Sequence, residues 1–66
     1  MYVYHVRWVK RGEGPRSYNE HENEWYSTDL HGEAFVTCSS AKLAYQLVKA
    51  AHPDAVVERP KLLGLA

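Results

Sequence analysis

The chain contains a single cysteine among its 66 residues, which excludes an intramolecular disulfide and fits a reducing compartment. No apolar run approaches the roughly 20 residues that a membrane span requires. The N-terminal MYVYHVRW has no charged leader followed by an apolar stretch and a cleavage site, so it reads as a strand rather than a secretory signal. No glycine-rich phosphate loop follows a strand. His5, His21, His31 and His52 form no His-x-x-x-His, and Cys38 has no Cys-x-x-Cys partner, so no metal-binding spacing is present. Net charge is zero, with eight lysines and arginines against eight acids, which weakens a general nucleic-acid-binding reading. A chain this short buries only about 60% of its unfolded surface. These absences predict a soluble, cytoplasmic, non-enzymatic protein with no cofactor, no metal and no membrane partner.

What is present is a strand-helix-strand unit from Phe35 to Glu58. At about 100° per residue, Ala41, Leu43, Ala44, Leu47, Val48 and Ala51 share one arc, and Lys42, Gln46 and Lys49 the opposite one. Ser39 and Ser40 are both suited to cap the helix. Pro53 ends it, because the residue before a proline is driven out of the α region. Ala34–Cys38 before the helix and Ala55–Glu58 after it are rich in β-formers.

From Tyr2 to Lys10 the residues alternate. Tyr2, Tyr4, Val6 and Trp8 face one side, assigned to the core, and Val3, His5, Arg7 and Val9 face the other. Arg11–Arg16 reads as a turn from its glycines and proline. A strand is expected from about residue 24 to 28, pairing with the first strand. If it extends back, Glu20, Glu22 and Glu24 project from one face about 6.7 Å apart. Asp29–Gly32 reads as a turn. The apolar tail Lys61–Ala66 has no clear period; packing across the sheet, fraying and contact with another chain all remain open. Together these elements predict one α+β domain spanning 1–66. Its three- or four-stranded sheet is mostly antiparallel, with one helix on one face, in the order β(2–10), β(24–28), β(34–38), α(40–52), β(55–59).

Charge is segregated. Residues 1–11 carry +3, residues 12–33 carry −5, and residues 34–66 carry +2. The acidic middle suits a basic partner. The expected partner-binding residues are Glu20, Glu22, Glu24 and Asp29, with Trp25 and Tyr26 as aromatic anchors. Cys38 reads as a buried structural thiol, since no base is held beside it.

In size, mixed architecture and segregated acidity, the chain resembles the small phage-encoded anti-CRISPR inhibitors. The resemblance covers general character and no motif. It implies a stoichiometric inhibitor, acting in a bacterial host's cytoplasm, that occupies a basic protein or nucleoprotein complex. One alternative is a nucleic-acid-binding module using Arg7, Lys10, Arg11 and Arg16 on a basic hairpin at 7–16. Another is an oligomerisation or subunit element, with the chain a monomer or a homodimer.

Overall fold

The computed structural model describes all 66 residues. Its elements are β1 (Tyr2–Lys10), β2 (Arg16–Asn19), β3 (Glu24–Ser27), β4 (Leu30–Cys38), α1 (Ala41–Ala51), β5 (Val56–Val57) and β6 (Lys61–Leu65). The fold is α+β. A four-stranded antiparallel sheet carries the helix on one face, and β2–β3 forms a separate two-stranded ribbon.

β1 is the centre of the sheet. Along one edge it pairs with β4 from Tyr2↔Cys38 to Lys10↔Leu30 without interruption. Along the other edge it pairs first with β5, at Val9↔Val56 and Trp8↔Val57. It then pairs with β6, from His5↔Lys61 to Tyr2↔Leu65. The Glu58 amide donates to the Arg7 carbonyl at 2.8 Å between the two segments, so β5 and β6 are one edge strand interrupted at Arg59-Pro60. Proline has no N–H to give to the ladder, which accounts for the break. β4 and β5 are both antiparallel to β1, hence parallel to one another with β1 between them.

The alternation read from the sequence is realised. Tyr4 and Val6 are buried against Ala44 and Val48 of α1, with Cys38 completing the cluster. Ser40 caps the helix, its hydroxyl accepting from the Leu43 amide at 3.2 Å. His52 closes the other end, its amide donating to the Val48 carbonyl at 2.9 Å. Lys49 donates to the Ala55 carbonyl at 2.5 Å and so ties the last turn to the chain leaving it. Cys38 is buried, and its thiol donates to the Ser40 carbonyl at 3.2 Å.

The core is thinner than the helix periodicity implies. Only six residues are buried, and Leu43 and Leu47 stay 38% and 47% exposed. The apolar arc of α1 is wider than the strip of sheet beneath it, so only its middle, Ala44 and Val48, is sealed.

Two expectations need correction. The strand at 24–28 does not pair with β1, because β4 occupies one edge of β1 and β5–β6 the other; it pairs with β2 instead. Leu30, His31 and Gly32 are strand rather than turn, since Trp8, Val9 and Lys10 give them ladder partners. Gly32 lies beneath the Trp8 ring, and a Cβ there would collide with it. Glycine thus serves close side-chain approach in the strand rather than chain reversal. The 61–66 tail, whose role the sequence leaves open, is a paired edge strand over Lys61–Leu65.

Candidate functional site

β1 and β4 together with β2 and β3 form one long antiparallel ribbon broken at a neck. Five residues, Arg11–Pro15, oppose Thr28 and Asp29 there. The Gly14 amide donates to the Thr28 carbonyl at 2.8 Å, and the Thr28 amide to the Pro15 carbonyl at 3.2 Å. The Thr28 hydroxyl also donates to Pro15. A Cβ on Gly14 would run into Asp29, so only glycine allows the strands to close at this point. The unequal strand lengths interrupt the ladder there, and β2–β3 continues the ribbon past the end of the sheet. The molecule consequently measures 51 × 20 × 13 Å with a radius of gyration of 15.5 Å, where a compact chain of this length has about 11 Å.

The arm has its own small framework. Tyr18 and Trp25 are cross-strand partners whose rings meet at 5.3 Å between centroids, a pairing that stabilises an isolated ribbon. The tip turn, Glu20–Asn23, is held by Asn19, whose side-chain oxygen accepts from the His21 amide at 3.0 Å and the Glu22 amide at 3.4 Å. Asn23 closes the turn with φ of 54°, a conformation asparagine tolerates. Its side chain also accepts from the Tyr18 hydroxyl.

The arm distributes the expected site residues unevenly. Glu20 and Glu22 lie in the tip turn and Glu24 opens β3. The three carboxylates therefore cluster at the tip instead of forming a ladder along a strand. Trp25 and Tyr26 follow on β3, 60% and 50% exposed, and alternation puts them on opposite faces of the ribbon. Asp29 stands apart at the neck, where its carboxylate accepts from the Gly12 amide at 3.0 Å. The residues of the basic alternative are also dispersed. Arg7 faces outward from the sheet, Arg11 is in the neck, and Arg16 begins the arm. Lys10 reaches Asp54 at 3.6 Å and lies 5.5 Å from the Trp8 ring centroid. Asp54's carboxyl is held below its ordinary range, chiefly by its own backbone amide, against some desolvation and with help from the Lys10 ammonium.

A second surface was not visible in the sequence. The sheet face opposite the helix is bare. On it His5 stacks on Phe35 at 4.8 Å and pairs with Glu33 at 2.7 Å. Phe35 is 65% exposed. His5, Arg7, Glu58, Arg59 and Lys61 line a shallow cavity of about 440 Å³ on this side. Arg7, Arg59 and Lys61 make no ion pair within the chain. Arg59 and Lys61 come beside Arg7 only because β6 pairs with β1, a long-range pairing that no local pattern signals.

Charge follows shape. The neck and arm, residues 11–29, carry Glu13, Glu20, Glu22, Glu24 and Asp29 against Arg11 and Arg16, a net −3. The remainder carries six lysines and arginines against Glu33, Asp54 and Glu58, a net +3. No three His, Cys, Asp or Glu side chains converge as a metal-binding group. No helix is long and apolar enough to cross a membrane. Comparison with known proteins adds no kinship: no family, no curated protein and no solved structure matches the chain.

Proposed function

We propose that the protein is a non-enzymatic binding module that presents its acidic, aromatic arm to a positively charged site on a partner. The observation that carries this reading is the arm itself. It extends beyond the core, yet displays Trp25, Tyr26 and three carboxylates to solvent. Exposed aromatics beside charges that need a counterpart are the composition of an interface hot spot. The partner class proposed is a nucleic-acid-binding complex, such as a bacterial CRISPR effector, whose phosphate-binding groove would receive the carboxylates of Glu20, Glu22 and Glu24.

The test is competition with target DNA for guide-loaded CRISPR effector complexes, using the parent and E20K/E22K/E24K. The parent should displace target DNA, with a strong dependence on salt, and the triple variant should lose at least about tenfold in affinity. Equal competition by both chains would refute the role of the arm, and failure of the parent to bind any effector would refute the partner class. A nucleic-acid-binding module is the second reading, favoured by Phe35 lying exposed on the sheet face that also bears Arg7, Arg59 and Lys61. A mobility shift of single-stranded DNA at low salt, abolished by R59E/K61E, would favour it over the first.

A further inference from the structure

The geometry points to a two-fold homodimer in which the arm of each chain lies on the open sheet face of the other. The seat is the surface formed by His5, Arg7, Glu58, Arg59 and Lys61 beside the exposed Phe35 ring, its three cations outweighing the one carboxylate. The occupant is the tip of a second copy, with Glu20, Glu22 and Glu24 as its anionic groups and Trp25 as its apolar one.

Charge complementarity is the first support. One chain carries −3 on the neck and arm and +3 on the rest, so two copies in parallel register repel, while arm against sheet face attracts. The three cations of the seat lack intrachain ion pairs, and the tip carboxylates also lack them. Each group set leaves unsatisfied what the other supplies.

Surface area is the second. The isolated chain exposes 5005 Å², whereas a compact folded chain of 7.6 kDa exposes about 4,300 Å². The surplus, about 700 Å² per chain, comes from the elongated shape, which leaves the arm and the bare sheet face with enough open surface for an interface of about 800 Å² per partner. Reciprocal docking uses each arm and each seat once. It closes the assembly, whereas one-way docking would leave an arm and a seat free at the ends of an open chain. The arm that would meet a foreign basic site is the same one, so such a partner would compete with the second copy.

Sedimentation of the isolated protein tests this, with the parent, the arm variant E20K/E22K/E24K and the seat variant R7E/R59E/K61E. R59E/K61E stands in if the charge reversal beside Glu33 impairs folding. The parent should be a dimer at micromolar concentration and low salt, and the dimer should be held about tenfold more weakly at high salt. Each variant alone should be monomeric. Mixed in equal amounts, the two variants should form a heterodimer, because a positive arm then meets a negative seat and a negative arm meets a positive one. A monomeric parent overturns the proposal. So does a dimer that survives both reversals, which would place the contact on the apolar side bearing Leu43, Leu47 and Leu62. Absence of the mixed heterodimer also overturns it, as does retention of single-stranded DNA by a parent that stays monomeric. Self-association is read on the isolated chain, so its failure leaves docking on a foreign partner to be judged by the competition assay alone.

Discussion

Replacing Gly32 with alanine tests how the sheet supports the helix. Gly32 is the cross-strand partner of Trp8. A Cβ added there would place three carbons of the indole ring at 2.5 Å or closer, where carbon atoms rest about 3.5–4.0 Å apart. The ring must therefore withdraw by at least about 1 Å. Its other side is occupied: His52, the residue that closes α1, stacks on Trp8 at 4.1 Å between centroids. The strain thus passes to the helix C-terminus instead of dissipating in solvent. Overpacking of this kind costs about 1–3 kcal/mol. The whole chain, at 66 residues, has roughly 3–10 kcal/mol available, and six buried residues argue for the lower end. Gly32→Ala should therefore lower the thermal midpoint by roughly 4–8 °C per kcal/mol lost. Trp25 should be changed to Phe in every protein compared, so that tryptophan fluorescence reports Trp8 alone. In a Trp8→Leu background, followed by circular dichroism, the glycine substitution should cost about 1 kcal/mol less than in the parent. An unchanged midpoint, or the same cost in both backgrounds, would refute the proposed contact.

Val6 is fully buried at the centre of the sheet, so Val6→Ala should cost about 2 kcal/mol, two methylenes of transfer free energy plus a cavity, read as a lower urea midpoint at unchanged slope. Ser40→Ala should cost about 1 kcal/mol by removing the acceptor for the Leu43 amide, with Ser40→Asp restoring it. The carboxyl of Asp54 is held below its ordinary range, so folding binds fewer protons there than unfolding does. Its contribution is complete at neutral pH and lost as pH falls through the folded-state value; Asp54→Asn should flatten that part of the acid limb of the stability curve, and an identical limb would contradict it. Deleting the arm between Arg16 and Ser27 and joining its ends by a short turn should leave helical circular dichroism unchanged, since the core cluster contains no residue of β2 or β3.

Local patterns were legible where one element meets one neighbour. The period of 3.6 between Ala41 and Ala51, the capping serine and Pro53 define α1, and the alternation along β1 assigns the buried face at Tyr4 and Val6, while Tyr2, expected in the core, stays 39% exposed. The clustering of acid in the middle of the chain is likewise plain from composition. Misreadings occur where a residue's neighbour is distant. Gly32 looks like a turn residue until Trp8 is placed over it, and the 24–28 segment looks available to β1 until both edges of β1 are filled.

The amino-acid order by itself determined the helix, the buried face of β1 and the sign of each segment's charge, because these depend on side-chain type and on periods of two or 3.6 residues. Only the tertiary structure decided that the acids would stand on a projecting arm and that Arg7, Arg59 and Lys61 would share one bare face. Both outcomes follow from which strand takes which edge of β1, and that competition is settled by long-range backbone pairing to which local sequence is nearly blind.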